Sequence, residues 1–162
     1  MALEIERKFL VRSSRWRAAA MRSERMRQGY FGGTGRGSIR VRIAGESAWL
    51  NIKARVAGPS RLEYEYPIPL ADAEEMLHEL CEPAAIDKVR HWVPCDGHTF
   101  EVDEFLGDNA GLIVAEIELG AEDEAFPHPD WLGTEITDDP RYYNHHLASQ
   151  PWRTWPEQAD RS

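Results

Sequence analysis

Hydrophobic and charged residues alternate along short stretches of this chain with the period of a β-strand. In Leu3–Val11 the positions Glu4, Glu6 and Lys8 fall on one parity. A strand sends alternate side chains to opposite faces, so these three share a face. The same parity recurs in Ser38–Arg42 (Arg40, Arg42), Arg61–Glu65 (Arg61, Glu63, Glu65), Asp87–Arg90 (Lys88, Arg90), Phe100–Asp103 (Glu101, Asp103) and Val114–Glu118 (Glu116, Glu118). Apolar residues mostly occupy the intervening positions.

The pattern predicts eight strands, at about 3–11, 25–32, 37–44, 47–54, 61–68, 86–95, 98–105 and 112–119. Turn signals separate them: Gly32–Gly37, Gly45-Glu46-Ser47, Ala57–Ser60, Asp96-Gly97 and Gly107–Gly111. Asp96-Gly97 between two strand patterns predicts a type I′ hairpin. Three helices fit the remainder. One is capped by Ser13 or Ser14 and runs through Met21. A second starts at Asp72, with Ala73, Met76, Leu77 and Leu80 at helical spacing, and stops at Pro83. A third begins at Asp139-Pro140 and runs to about Gln150. The tail, 151–162, reads as an ordered strap on the surface that frays at its end.

Antiparallel strands at hairpin spacing predict a mainly β (α+β) fold, a closed eight-stranded barrel flanked by about three helices. The charged parity is too regular to be edge decoration and is placed in the lumen. The apolar parity (Ile39, Val41, Ile43, Leu50, Ile52, Leu62, Tyr64, Val89, Val102, Ala115, Ile117) then faces outward, to be covered by the helices or by a partner subunit, which makes a homodimer an expectation. A chain of 162 residues fits one domain over 1–150 followed by the tail.

Charge narrows the function. The net charge of −9 argues against a general nucleic-acid binder, which needs a basic patch for phosphates. A small phosphorylated ligand stays compatible, because local charge outweighs the sum. No apolar run approaches the roughly 18 residues of a membrane span. The acidic start lacks the layout of a signal peptide, and Cys81 and Cys95 have no metal-ligand or disulfide-framework spacing, so a cytoplasmic location is expected.

The predicted lumen has the chemistry of a metal-bound polyanion site. Glu4, Glu6, Glu63, Glu65, Glu101, Asp103, Glu116 and Glu118 offer hard oxygen ligands suited to Mg²⁺ or Mn²⁺. Lys8, Arg40, Arg42, Lys53, Lys88 and Arg90 offer donors matched to phosphate oxygens. Six bases against eight acids leave such a lumen at −2, and two divalent ions bring it to +2. Metal is then required for capture of a polyphosphate. The Gly32–Gly37 loop lacks the lysine and hydroxyl residue of a phosphate loop and reads as a hairpin. His145 and His146, adjacent on a helix, point apart and make no metal pair.

Glu4-Ile5-Glu6-Arg7-Lys8-Phe9-Leu10-Val11 resembles the Glu-x-Glu-x-Lys signature that opens the CYTH proteins, or triphosphate tunnel metalloenzymes. The resemblance continues through Arg27–Tyr30, Ile39–Arg42, Ile52-Lys53, Glu63–Glu65, Lys88–Arg90, Glu101–Asp103, Glu116–Glu118 and Thr137–Asn144, over about residues 2–150. It implies an eight-stranded tunnel that binds a triphosphate with divalent metal. Within that family the chain is most similar to the short bacterial inorganic triphosphatases. The resemblance implies metal at Glu4, Glu6, Glu116 and Glu118, with Glu63, Glu65, Glu101 and Asp103 as further ligands, direct or through water. It implies phosphate contacts from Lys8, Arg40, Arg42, Lys53 and Arg90, and activation of water by Lys88 and Tyr30. The expected reaction is metal-dependent hydrolysis of inorganic triphosphate to pyrophosphate and phosphate, with two Mg²⁺ or Mn²⁺ ions. An adenylyl cyclase of class IV, a thiamine triphosphatase and a non-catalytic polyphosphate-binding or nucleotide-binding module are the alternatives. The partner is thus a small triphosphate, with no nucleic acid and no membrane.

Overall fold

A computed structural model describes residues 3–31, 35–82 and 85–159. Nine strands form one antiparallel sheet: β1 (Leu3–Val11), β2 (Arg22–Tyr30), β3 (Gly37–Ala44), β4 (Ser47–Ala54), β5 (Ser60–Ile68), β6 (Ile86–Cys95), β7 (His98–Phe105), β8 (Ile113–Glu118) and β9 (Leu132–Glu135). The order is β5-β4-β3-β2-β6-β7-β8-β1-β9. A further β1–β5 pairing, with Glu4 opposite Arg61, closes eight strands into a barrel. β1 meets β8 through Glu6–Leu10, while its C-terminal end hands over to the short β9 across a register shift. β9 escaped the sequence reading because Leu-Gly-Thr-Glu is too short to show an alternation.

Parity works as expected. The outward apolar residues are covered on two sides. Ile5, Phe9, Val93, Phe100, Val102, Ala115 and Ile117 pack with Trp16, Leu119, Trp131 and Leu132. The rings of Phe100 and Trp131 meet edge to face, 5.1 Å apart. Elsewhere Val41, Ile43 and Ala48 pack under helix α1 (Leu70–Glu79), through Ala73, Met76 and Leu77. The outer face of β4, β5 and the start of β1 is left open: Leu3, Ile52, Leu62, Tyr64 and Tyr66 are exposed.

Inside, the lumen changes character at one end. Two residues beyond Lys8, Lys88, Asp103 and Glu116 the inward positions become Leu10, Ile86, Phe105 and Val114. These pack with Leu147 and Ala148 of helix α2 (Asn144–Ser149) and with Trp155 of the tail. A closing apolar plug at one end confines the charged tunnel to the rest of the barrel. The tail continues into a short helix α3 (Pro156–Ala159).

The hairpin at Asp96-Gly97 has positive φ at both residues, 45° and 83°, as a type I′ turn requires. Several boundaries differ from the sequence reading. The helix expected from Ser13 or Ser14 to Met21 is a single 3-10 stretch, Arg15–Ala19, pinned by the fully buried Trp16. β2 starts at Arg22 rather than about 25, because its polar first turn pairs with β6 from Trp92 onward. α1 starts at Leu70 after Pro69, two residues early. The third helix is broken. Asp139 accepts from the Arg141 backbone N–H at 3.1 Å and starts a 3-10 turn, Pro140–Tyr142. Tyr143 then turns extended, its hydroxyl donating to the Thr137 carbonyl at 3.1 Å, before α2 begins. Residues 32–34 of the glycine-rich loop, Pro83 and residues 160–162 lie outside the described residues.

Gly29 shows how tightly α1 is seated. A Cβ there would stand 2.6 Å from Leu77 Cδ2 and 2.8 Å from Cys81 Sγ. Overpacking of this kind costs about 1–3 kcal/mol. Gly29→Val is expected to lower stability by that amount in urea unfolding, whereas an unchanged midpoint would show that α1 is free to shift.

Candidate functional site

The barrel encloses a cavity of about 430 Å³, within the range of small-molecule sites. The four acids expected first as metal ligands, Glu4, Glu6, Glu116 and Glu118, border it, as do Glu63, Glu65 and Glu101 from the further set. So do Lys8, Arg40, Arg42, Lys53, Lys88 and Arg90, and the phenol of Tyr30. Of the residues expected at the site, Asp103 alone does not line the cavity. It is fully buried beneath the wall, its Oδ2 accepting from Lys88 Nζ at 2.7 Å and from Arg90 Nη2 at 2.9 Å, its Oδ1 from Arg90 Nε at 2.8 Å. Parity gives the face of a strand, not the depth of a short side chain. Asp103 holds Lys88 and Arg90 in place, and both of its oxygens are engaged by these cations.

Acids and bases interlock around the lumen because cross-strand register puts them opposite each other. Lys8 pairs with Glu116 on β8, Lys53 with Glu63 on β5 and Arg90 with Asp103 on β7. The corresponding ion pairs are Lys8 to Glu116 at 3.3 Å and to Glu6 at 3.7 Å, and Lys53 to Glu4 at 2.9 Å and to Glu63 at 3.0 Å. Arg90 also reaches Glu101, and Glu116 at 3.5 Å. Glu65, at the exposed rim, accepts from Asn51 at 2.9 Å.

Arg40, Arg42, Arg55 and Arg61 stand apart from this lattice. All four border the cavity, and among the described residues none has a carboxylate within ion-pair distance. Arg40 and Arg61 are buried, each with an Nε that has no partner. An unpaired buried guanidinium is costly unless an anion satisfies it. Burial, then Arg40 and Arg90, push Arg42 down to about 9, a measure of how crowded with positive charge this wall is. Arg61 and Arg55 extend the expected set of bases. Arg61 shares the parity of Glu63 and Glu65, so the signal was present in the sequence; Arg55 sits at the rim after β4 ends, where parity is silent.

The carboxylates have the reverse problem. Burial raises Glu4, Glu6, Glu101 and Glu118 above the ordinary carboxylate range. Their neighbours add to this: Glu63 for Glu4, Glu116 for Glu6 and Glu101, and Glu4 for Glu118. Glu116 is held well below that range against its burial by Lys8, Arg90 and Lys88. Crowded carboxylates of this kind fit a hard divalent cation, which prefers oxygen donors and would relieve their repulsion. Among the described residues no three acidic or other ligating side chains already converge tightly enough to enclose an ion. Water and phosphate oxygens would complete the coordination, as is usual for Mg²⁺.

Lys88 is the group best placed for acid–base work. It is almost fully buried, and burial, followed by Arg90 and Arg42, brings its amine down to about 7 although Asp103 and Glu116 oppose the shift. Asn144 Oδ1 accepts from it at 2.8 Å. Segment 137–145 roofs this region. Tyr143 lies under Lys8 and Arg61, with ring distances of 5.5 Å and 5.0 Å. His145, pushed down to about 4 by burial, Arg55, His146 and Arg61, is a neutral imidazole at the lumen wall. Being neutral, Tyr143 and Asn144 break no charge pattern, so alternation along the chain gave no sign of them.

The lumen therefore carries a carboxylate wall, an unpaired guanidinium wall and a buried amine near neutrality. Comparison with known proteins agrees with this arrangement. A 157-residue stretch is 45% identical to an inorganic triphosphatase of Acetivibrio thermocellus, covering 97% of this chain and all of that one. An inorganic triphosphatase of Nitrosomonas europaea is 37% identical over 150 residues, 90% of this chain and 96% of the other. A crystal structure of an inorganic triphosphatase superposes with a TM-score of 0.63 at 33% identity, over 91% of this chain and 95% of that chain. The family model of the CYTH domain matches residues 2–146, and the chain belongs to that family.

Proposed function

We propose that this chain is a metal-dependent triphosphatase that hydrolyses inorganic triphosphate to pyrophosphate and phosphate. The observation that carries the reading is a closed tunnel lined both by carboxylates and by four arginines, Arg40, Arg42, Arg55 and Arg61, that have no carboxylate partner among the described residues. The near full-length similarity to inorganic triphosphatases supports the substrate.

Binding comes first. Arg40, Arg42, Arg55 and Arg61 supply forked donors along one side of the phosphate chain, and Lys8, Lys53 and Arg90 add point charges or donors shared with the acids. Eight bases and eight acids border the cavity once Arg55, Arg61 and Asp138 are included and Asp103 is left out. The lumen is thus close to neutral and strongly polarised, rather than at −2. Glu4, Glu6, Glu101, Glu116 and Glu118, with Glu63 and Glu65 at the margin, would hold Mg²⁺ or Mn²⁺. A bound divalent ion supplies charge neutralisation on the phosphoryl oxygens and acidifies water. Lys88, neutral above about pH 7, takes a proton from the attacking water. Tyr30, on the wall at the end of β2, contributes its hydroxyl to orienting that water. Arg40 and Arg42 stabilise the charge on the departing pyrophosphate.

Phosphate release from tripolyphosphate in Mg²⁺ or Mn²⁺, with ATP and thiamine triphosphate alongside, tests the reading; no release from any of them would overturn it. Arg61→Ala removes charged hydrogen bonds worth about 1.5–3 kcal/mol, so KM for tripolyphosphate is expected to rise about 10-fold to 100-fold. An unchanged KM would remove Arg61 from the binding wall.

The base assignment has a pH signature. Lys88 must be neutral, so kcat/KM is expected to rise with pH, to bend near about 7 and to level above it. Lys88→Arg, which cannot lose its proton, is expected to abolish turnover without weakening binding. A flat profile in the wild type would exclude this role.

Metal binding can be read without turnover. Excess Mg²⁺ or Mn²⁺ at about 100 times its Kd stabilises a folded site by about 2.7 kcal/mol. For a chain of this size that is a rise in Tm of about 5–10 °C. Glu6→Gln is expected to lose at least half of the rise; an equal rise in both proteins would move the metal elsewhere.

A further inference from the structure

We propose that Asn144, the first residue of α2, is a positioning residue that aims the lone pair of the Lys88 amine into the tunnel. This rests on the reading of Lys88 as general base. An amine nitrogen is tetrahedral, and one position is taken by Cε. The other three are shared between protons and, in the neutral form, one lone pair. Asp103 Oδ2 at 2.7 Å and Asn144 Oδ1 at 2.8 Å are both acceptors. A neutral amine has two protons, and two acceptors engage both. The lone pair is left at the remaining position. Since Lys88 borders the cavity while Asp103 lies beneath the wall, that position opens on the lumen.

The orientation of the Asn144 amide is itself fixed by a chain of donors. Arg42 Nε can only donate, and it does so to Gln28 Oε1 at 2.7 Å. That leaves the Gln28 amide nitrogen to donate to Asn144 Oδ1 at 3.1 Å. The same oxygen accepts from Lys88, so the Asn144 carbonyl cannot flip without losing both bonds. Gln28 is fully buried, so its amide has no water to turn to and holds this orientation through Arg42 and Asn144. Arginine at the phosphate wall is thereby linked through two neutral amides to the amine that performs the proton transfer.

Neutrality at position 144 matters because of what else surrounds Lys88. Arg90 shares its own strand, Asp103 and the Phe105 ring at 5.6 Å face it from β7, Arg42 from β3, and Glu116 from β8. Gln28 on β2 and Asn144 on α2 complete the shell. The balance of these charges brings the amine down to about 7. A carboxylate at 144 would favour the ammonium, and an apolar side chain would free one proton of the amine to rotate. The plug and the base are also coupled by one helical turn. Leu147 and Ala148 seal the barrel end while Asn144 reaches the amine.

Steady-state kinetics of Asn144→Ala, Asn144→Asp and Lys88→Met, on the full chain with tripolyphosphate and Mg²⁺ across pH 5.5 to 9, tests the proposal. Misdirecting a base typically costs about 100-fold, so Asn144→Ala is expected to lower kcat by about 10-fold to 100-fold with KM within about 2-fold of the wild type. Losing a neutral acceptor destabilises the ammonium, so its acid limb moves to lower pH. Asn144→Asp adds a negative charge, so its limb moves up by about one pH unit or more, with rate recovered in alkali. Loss of folded protein lowers amplitude but moves no limb, so opposite shifts identify positioning. If Asn144→Ala does not fold, the nearly isosteric Asn144→Asp carries the test through its limb alone. Wild-type limbs and kcat in the Asn144 variants, with Lys88→Met inactive, would overturn the role of Asn144 alone. A fully active Lys88→Met would overturn the base assignment and this inference with it.

Discussion

Closing an eight-stranded sheet around ionisable side chains sets the terms for everything else in this protein. Once β1 pairs with β5, each inward residue of one strand faces two neighbours from which it cannot withdraw. Charges confined in this way must be paired, neutralised or left for a ligand. All three solutions are present. Lys8, Lys53 and Arg90 are paired, Lys88 moves toward neutrality, and Arg40, Arg42, Arg55 and Arg61 have no carboxylate partner among the described residues.

The outward consequence is as strict as the inward one. Alternation forces the apolar residues of the same strands to the outside, where they need cover. Trp16, Trp131 and Leu132 cover one side and α1 another. Because two of the three apolar clusters lie outside the barrel and the third only plugs one end, the rest of the lumen is free to be polar. Stability and function are carried by opposite faces of the same strands, which lets the site hold repelling carboxylates without loosening the fold.

Much of this was legible in the sequence. A period of two is a direct statement about faces, and strand after strand repeated it, so the barrel, its charged lumen and most of the lining residues followed. Depth was not legible. Asp103 and Glu101 share a parity, but the shorter side chain is trapped under Arg90 and Lys88 while the longer one borders the cavity. Neutral residues were equally hard to see. Gln28, Tyr143 and Asn144 carry no charge to break a pattern, and their roles come from contacts made across the fold. Helix ends failed for a related reason: the break at Tyr143 is set by its bond to Thr137, which lies across a turn. Arg61 is a different case: it shares the parity of Glu63 and Glu65, yet it was not among the six bases expected at the site.

In the proposed reaction, water activated inside this tunnel displaces pyrophosphate from a terminal phosphoryl group. Phosphorus NMR of tripolyphosphate turnover in ¹⁸O-labelled water tests it most directly. Equal amounts of orthophosphate and pyrophosphate are expected, with the label in the orthophosphate alone. Label in the pyrophosphate, or no turnover at all with metal present, would contradict it.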